Sequence, residues 1–301
     1  MSDKRKGRSL FSRFPSLKGY CLVGPAVILL GLFTLYPIGY LFYSAMLDGS
    51  LLSKKRNFIG LSNYVTLLSN DFGTVLANTI LYSIGWVTLT MVFALLLAVF
   101  LNSKSQQKLN NLTMAAIFTP HIISLVSVSS VFLWIMDPQV GIINYVLRTL
   151  GLPPFPFLSS SKTALFSLIL MMVWKSVGFY TLLIMSALQT VPKELYEAAD
   201  LDNASKTSVF FRITIPMISP TLFFTAIVAT INSFQVFETV NLMTQGGPVN
   251  STNTLVYKIY SDAFKYLKLG QASAEAVVLL LFVAVLTIIY FAVLSRKVFY
   301  R

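Results

Sequence analysis

Six long apolar runs, separated by polar segments, divide this chain. They cover approximately residues 20–43, 76–101, 113–135, 164–187, 217–239 and 273–294. A helix that crosses the roughly 30 Å hydrocarbon core of a bilayer needs about 20 apolar residues, and each run has that length. The runs lack the strict alternation typical of barrel strands, and lipid requires every backbone polar group to be bonded internally. We therefore predict an all-α, polytopic membrane protein with six transmembrane helices.

The composition strengthens this prediction. Of the 301 residues, 55% are hydrophobic and only 11% are charged, whereas about a quarter are charged in soluble domains. The first apolar run is too long for the core of a signal peptide and is followed by no A-x-A cleavage site, so we expect it to be retained. The predicted organisation is a basic N-terminus at 1–19, a membrane domain at 20–294 and a short C-terminus at 295–301.

The distribution of Lys and Arg predicts the orientation. With six spans and the N-terminus inside, fourteen basic residues fall in inner segments and eight in outer ones. Because cytoplasmic segments carry the excess of Lys and Arg, both ends of the chain are expected to be cytoplasmic. The net charge of +12 then reflects topology and contact with lipid headgroups in the bilayer, and no nucleic-acid binding is expected.

Several kinds of chemistry are not expected from this sequence. A single Cys and a single His permit no disulfide and no cysteine metal cluster, so we predict no metal, no cofactor and no catalytic residue. No G-x-x-x-x-G-K-[ST] loop is present, so the chain is not expected to be an ATP-hydrolysing enzyme. His121, which follows Pro120, is interpreted either as a hydrogen-bonded residue near a kink or as part of a substrate path.

The polar loop 188–216, between the fourth and fifth spans, gathers four of the eleven acidic residues within nine positions. We predict two short helices in this cytoplasmic loop. Pro192 suits the first helical turn, and Glu194 and Glu197 follow where the helix dipole favours anions. Two interpretations stay open from the residues alone, namely a surface that docks into a basic groove of another protein and a solvated loop with capping acids.

The two short helices are expected to be separated at Asp202-Asn203, because asparagine readily adopts the left-handed backbone conformation. The second helix is predicted from about Ala204 to Ile213, with its end near Pro216. The first helix is expected to present one apolar strip, which contains Leu195, Ala198, Ala199 and Leu201.

This loop resembles the signature of the membrane subunits of type I ABC importers. That signature is Glu-Ala-Ala, three residues, Gly, nine residues and Ile-x-Leu-Pro. Here it reads Glu197-Ala198-Ala199, then Asn203, then Ile213-Thr214-Ile215-Pro216, with every spacing kept. Asn203 replaces the usual Gly, and Ile215 replaces Leu. The stretches "VWKSVGFY" before the loop and "NLMTQGGPVNSTNTLVYKIYSDAF" after it are similar to the carbohydrate-uptake branch.

The resemblance implies a function and a set of partners. The chain would be a permease subunit, in a bacterial cytoplasmic membrane, of an importer that moves a sugar, such as an oligosaccharide, delivered by an extracellular solute-binding protein. A cytoplasmic ABC ATPase would bind ATP and Mg, and a second homologous permease would complete a heterodimer. The coupling helices would dock on the ATPase through Glu194, Leu195, Glu197, Ala198, Ala199, Asp202 and Asn203.

Two alternatives remain at this stage. One is an ABC importer permease for a non-sugar solute such as a polyamine or glycerol phosphate. The other is an ion-coupled secondary transporter, although such proteins usually carry carboxylates or repeated halves near the midplane. Only Glu238 and Glu275 lie near predicted spans, both close to span ends, and no internal repeat is evident.

Polar residues inside the spans are candidates for the substrate path. Lys175, about eleven residues into the fourth span, would either face a cavity or hold a carboxylate across the helix bundle, or it would snorkel or pair near the outer surface. The fifth span offers amides and an aromatic ring, which are the groups that bind sugars, although polar side chains also join helices in membranes. The candidates in this span are Asn232, Phe234, Gln235 and Glu238.

Overall fold

A computed structural model of the protein describes residues 15–50, 56–69, 71–102 and 107–294. These residues are mainly helical, with one short hairpin of strands β1 (Leu47–Asp48) and β2 (Asn57–Phe58), which confirms the predicted all-α class. The first 14 residues of the predicted N-terminus and the predicted C-terminus at 295–301 lie outside the described part. The helices are α1 (Pro15–Leu30), α2 (Tyr36–Ser44), α3 (Ser62–Ser69), α4 (Phe72–Leu101), α5 (Gln107–Ile122), α6 (Leu125–Ile135), α7 (Ile142–Thr149), α8 (Ala164–Gln189), α9 (Lys193–Leu201), α10 (Lys206–Val209), α11 (Ile215–Phe234), α12 (Glu238–Met243), α13 (Leu255–Tyr260) and α14 (Leu269–Ile289).

Five helices of the described residues are long and apolar enough to cross a membrane. Some consist of two α-helices joined by a π-helical turn, in which backbone bonds widen from i→i−4 to i→i−5. The turn at Gly31–Leu35 joins α1 to α2 in this way. The five helices are Leu22–Ser44, Phe72–Leu101, Ala164–Gln189, Lys206–Phe234 and Leu269–Ala292.

The third predicted span is not one continuous helix. Residues 113–135 form the end of α5 and all of α6, and the two helices meet at an angle of 100°. Pro120 removes one backbone donor near the end of α5, and Ser124 adopts an extended backbone (φ −53°, ψ 135°) just before α6. Hydropathy alone cannot detect such a break, since both halves are apolar. If this bent pair is counted as one broken span, the described residues contain six helices or helix pairs that are long and apolar enough to cross a membrane.

The second helix of the cytoplasmic loop does not end near Pro216, contrary to the prediction. It continues from α10 through the π-helical turn Phe210–Thr214 into α11, as one helix of 29 residues. The Ile215 N–H donates to the Phe210 carbonyl across this turn. Pro216 therefore lies inside the continuous helix, directly after the π-helical turn, whose wider backbone bonding accommodates the N–H that proline lacks. The coupling loop and the fifth span are mechanically continuous.

The central helix of the described part is α8. Just over half of its most apolar stretch is buried within the chain (56%), whereas none of the most apolar stretch of the Leu22–Ser44 helix is, so that stretch faces lipid or a partner. The α4 helix packs along α8, and the indole N–H of Trp86 donates to the Ser176 hydroxyl at 3.0 Å. This contact fixes one helix against the other, because an unsatisfied indole N–H would be costly in this buried position.

A second cluster joins the helix ends on the predicted outer side. The Asn78 amide donates to the carbonyls of Asn250 and Asn253 (2.8 and 3.2 Å) and so ties the loop after α12 to the start of α4. Nearby, the Lys258 ammonium lies 2.8 Å from Asp262 and 3.2 Å from Glu275, which is fully buried. Lys258 is the cation that compensates these two buried carboxylates.

Candidate coupling surface and substrate path

The first helix of the predicted cytoplasmic loop, α9, is stabilised by the residues at its start. Pro192 has an extended backbone (ψ 135°) and lies immediately before the helix, one position earlier than predicted. Glu194 lies in the first turn and Glu197 one turn further on, and both are exposed. The free N–H groups of the first turn carry partial positive charge, so these carboxylates stabilise the helix whatever else they bind.

The apolar residues of α9 do not form one strip, contrary to the prediction. Leu195 packs against the core and Ala199 is only 7% exposed, so these two residues, four apart, hold the helix to the protein. Ala198 is exposed and Leu201 is 84% exposed. The outward face, which we call the coupling face, consists of Glu194, Glu197, Ala198 and Leu201.

The end of α9 is a Schellman motif centred on Asn203. Its φ of 51° places Asn203 in the left-handed region, as the sequence predicted. The Asn203 N–H donates to the Asp200 carbonyl (3.1 Å), and the Ala204 N–H donates to the Ala199 carbonyl (2.9 Å). Asp202, at the C-cap, is exposed beside the turn. The sharp turn lets α10 begin at once, with the Ser205 hydroxyl accepting from the Ser208 N–H.

Tyr196 ties α9 to the base of the fifth span, a contact that the sequence reasoning missed. Its hydroxyl lies 3.2 Å from the Thr214 hydroxyl, which belongs to the π-helical turn. A cleft of about 380 Å³ lies beside it, lined by Leu188, Asp200 and Phe210 among others. Tyr196 lies three residues before the buried Ala199, and this helical spacing was the available signal. Any displacement of α9 therefore acts on the start of the long helix.

The candidate path residues of the fifth span lie where that helix ends. Helix α11 stops at Phe234, and Gln235 is its C-cap. Asn232, Gln235 and Glu238 are all exposed within the chain. Phe234 is not, contrary to the prediction, because it is 4% exposed and its ring centre lies 5.2 Å from that of Phe282 on α14. The amides and the carboxylate, rather than this aromatic ring, are available to a solute.

Asn232 lies beside a neighbouring helix. Its side chain is near the hydroxyl of Tyr180 on α8. The Tyr180 ring is buried and contacts Trp86 edge-on, with 6.5 Å between ring centres. Tyr180 is therefore the residue of α8 through which the core reaches the exposed amide of Asn232.

Lys175 has a different environment from either predicted one. Its ammonium donates to three backbone carbonyls at the break between α5 and α6, those of Pro120 (3.2 Å), His121 (3.2 Å) and Ile123 (2.7 Å). The ammonium has three N–H donors, and these three bonds use all of them. Among the ion pairs of residues 15–50, 56–69, 71–102 and 107–294, none includes Lys175. The geometry supports a role in holding the break and leaves no donor for a solute.

Long apolar helices that can cross a bilayer, with the short exposed helix α9 between the fourth and fifth predicted spans, define a multi-pass membrane protein. Residues 90–300 match the family described as "Binding-protein-dependent transport system inner membrane component". The chain belongs to this family and is a multi-pass membrane protein. It is 31% identical over 283 residues, or 93% of this chain and 96% of the relative, to the sn-glycerol-3-phosphate transport system permease protein UgpA of Agrobacterium fabrum (strain C58 / ATCC 33970).

Two further similarities extend over nearly the whole chain. The sulfoquinovosyl glycerol transport system permease protein SmoG of the same organism is 34% identical over 279 residues, covering 92% of this chain and 90% of that protein. A subunit of a bacterial alginate ABC transporter, solved in complex with an alginate pentasaccharide-bound periplasmic protein, superimposes with a TM-score of 0.84. That match covers 96% of this chain and 98% of the other at 22% identity, so it shows the fold.

Proposed function

We propose that this chain is the membrane-spanning permease subunit of an ATP-binding-cassette importer that moves a sugar-class solute into the cell. The observation that carries the proposal is the continuity between the coupling face and the candidate path. Tyr196 joins α9 to the 29-residue helix that begins at Lys206, and the same helix carries Asn232 near its other end. Movement of α9 is thereby transmitted along one continuous helix to the path.

The coupling face has the chemistry of a docking site for a basic groove. Glu194 and Glu197 are exposed one turn apart, and the methyl group of Ala198 lies beside them. A residue this small lets a partner helix approach closely, and paired carboxylates attract Lys or Arg on that partner. The partner is a cytoplasmic ABC ATPase, which binds the ATP and Mg. This chain itself has no catalytic role, no cofactor and no metal.

The rest of the assembly follows from the same proposal. An extracellular solute-binding protein delivers the solute, and a second, homologous permease forms the other half of the pore. The Leu22–Ser44 helix provides a large surface for that permease or for lipid, because none of its most apolar stretch is buried within the chain. We propose a heterodimer of two permeases in a bacterial cytoplasmic membrane, as the sequence resemblance implied.

The solute class is argued from the exposed end of α11. Amide side chains such as Asn232 and Gln235 donate and accept hydrogen bonds, which suits hydroxyl groups, and Glu238 accepts further donors. Two relatives are named for the transport of glycerol derivatives, namely sn-glycerol-3-phosphate and sulfoquinovosyl glycerol. A glycerol phosphate or glycoside is thus the second candidate, and it differs from an oligosaccharide in size and charge. An ion-coupled mechanism has less support, since the match to a binding-protein-dependent family accounts for most of the chain.

Gentle purification of the tagged protein from its native membrane, followed by mass spectrometry, tests the proposal. We expect an ABC ATPase and a second permease to copurify with the wild type. Ala198→Arg should lose the ATPase and keep the second permease, whereas Ala198→Ser, which stays small, should keep both. Recovery of the wild type without any ATPase, together with transport in vesicles that lack ATP, would refute the proposed function.

A further inference from the structure

The segment Trp174–Tyr180 of α8 contacts both halves of the broken third span. The Trp174 ring lies 5.2 Å from that of Phe132 on α6. One residue further on, the Lys175 ammonium contacts the break itself. Gly178 and Phe179 contact the last turns of α5. A single stretch of α8 thus determines where each half of the broken span lies.

The break creates a problem of backbone hydrogen bonding. The last carbonyls of any helix have no intrahelical donor, and within a membrane no bulk water replaces it. Lys175 supplies donors to the carbonyls of Pro120 and His121 in the last turn of α5 and to that of Ile123 beyond it. The C-terminal end of a helix carries partial negative charge, so a cation stabilises it more than a neutral donor would.

Two further contacts fix α5 against α8 at the same place. A Cβ atom added at Gly178 would lie 2.1 Å from the Ile117 carbonyl oxygen, which shows how closely the two backbones approach. The His121 ring stacks on Phe179, with 4.6 Å between ring centres and 12° between the planes. Together with Lys175, these contacts hold the end of α5 over little more than one turn of α8.

The same segment leads directly to the candidate path. The Phe179 ring lies 5.3 Å from that of Tyr180, and the Asn232 side chain is near the Tyr180 hydroxyl. A change in the position of α5 would move His121, and through the ring contacts of Phe179 and Tyr180 it would reach the surroundings of Asn232. Ring contacts therefore lead from the break to the neighbourhood of the exposed end of the fifth span.

We propose that Lys175 is a positioning residue for transport: its ammonium sets the angle between α5 and α6 and thereby keeps the His121–Phe179–Tyr180–Asn232 chain in place. The proposal rests on the proposed function only for its effect on transport. The effect on the angle follows from the contacts alone. Lys175 does not bind the solute, because its three donors are bonded to carbonyls.

Spin-label distances across the break test this inference in the assembled transporter. In a Cys21→Ser background, nitroxide labels are placed at Ala116 on α5 and Val131 on α6, which are both exposed. We expect one narrow distance distribution in the wild type and a broad or shifted one in Lys175→Met. Lys175→Arg, which keeps the charge and several N–H donors, should restore most of the narrow distribution.

Transport is measured on the same proteins without the labels. Loss of charge-assisted bonds should lower the maximal transport rate of Lys175→Met by about tenfold, with similar amounts of assembled complex and a smaller change in KM. Lys175→Arg should recover at least half of the rate. An unchanged distance distribution in Lys175→Met would overturn the proposal, and a selective rise in KM with that unchanged distribution would instead assign Lys175 to the solute.

The two proposals fail in different ways. If the wild type does not transport any solute with ATP, the proposed function is wrong, while the distance measurement still decides the role of Lys175 at the break. If the wild type transports and Lys175→Met has both a normal distance distribution and a normal rate, the positioning role is wrong and the proposed function stands.

Discussion

Replacing Gly178 by Ala should destabilise this protein strongly, although the same change usually stabilises a helix by about 0.5–1 kcal/mol. The added Cβ would lie 2.1 Å from the Ile117 carbonyl oxygen and 2.6 Å from its carbon, and ordinary contacts begin at 3.4 Å. Both atoms belong to the backbone of α5, so no side chain can rotate away. The helix must withdraw by more than about 1 Å.

The expected loss of stability in Gly178→Ala has two parts. Overpacking of this kind costs about 1–3 kcal/mol. Withdrawal of α5 also stretches the bonds from Lys175 to the carbonyls of Pro120 and His121, and bonds from a charged donor are worth about 1.5–3 kcal/mol each. Even if only part of one such bond is lost, the free energy of unfolding should fall by about 2 kcal/mol or more.

Two other glycines provide matched controls. At Gly85, on α4, the nearest atom to an added Cβ is the Cδ1 of Ile169, at 2.8 Å, which is the end of a side chain that can turn aside. At Gly39, on α2, nothing lies within 4 Å. We expect thermal unfolding of the three purified variants in lipid nanodiscs to give the highest unfolding temperature for Gly39→Ala, a lower one for Gly85→Ala and the lowest for Gly178→Ala. For about 2 kcal/mol, a chain of 301 residues should unfold roughly 3 °C below the wild type when it carries Gly178→Ala.

One result would refute this reasoning. If Gly178→Ala unfolded at the same temperature as Gly39→Ala, the backbones of α5 and α8 could not approach as closely as described. The close contact between Gly178 and α5 could then no longer be counted among the contacts that hold α5 at the break. If Gly85→Ala were instead the least stable, the flexibility of Ile169 would have been overestimated.

Three other predictions concern the coupling loop and the outer charge cluster. Glu197→Lys should leave membrane insertion intact and abolish uptake, since it reverses the charge of the coupling face, while normal uptake would exclude the docking role. Asn203→Gly should keep transport and unfolding temperature within a small margin, because its φ of 51° suits glycine at least as well; a severe loss would contradict the Schellman geometry. Lys258→Met should lower the free energy of unfolding by about 3–5 kcal/mol, because it leaves the carboxylates of Asp262 and Glu275 buried without their cation. Adding Glu275→Gln to Lys258→Met should recover part of the lost stability, measured by thermal unfolding. If the double variant is no more stable than Lys258→Met, Lys258 and Glu275 do not interact as described.

The sequence was sufficient for the fold class because the length of an apolar run is a direct physical requirement of the bilayer. It was insufficient for the third span, since a run of apolar residues is the same whether its helix is straight or bent by 100°. It was also misleading at Pro216. Proline normally ends a helix, but the π-helical turn Phe210–Thr214 precedes it and allows the helix to continue.

The candidate site was predictable where one residue determines local geometry. Asn203 is such a case, because few residues adopt a positive φ. Which side of a helix is buried and which is exposed was harder to predict. The rotation of α9 about its axis, which buries Ala199 and exposes Ala198, depends on what packs against it. The partners of Lys175 could not be inferred at all, because backbone carbonyls are present at every position and have no signature in the sequence.

The uninterrupted helix Lys206–Phe234 can act as a lever. Its 29 residues extend over about 43 Å, and a tilt of about 5° around its midpoint would move each end by about 2 Å in opposite directions. Leverage of this kind works in both directions, because a coupling free energy between two sites is reciprocal. If the chain has the proposed function, binding of the cytoplasmic partner to α9 changes the affinity for a solute at Asn232 by some factor, and binding of that solute changes the affinity of α9 for the partner by the same factor. The presence of a solute would then alter a binding constant on the cytoplasmic side before any solute has crossed.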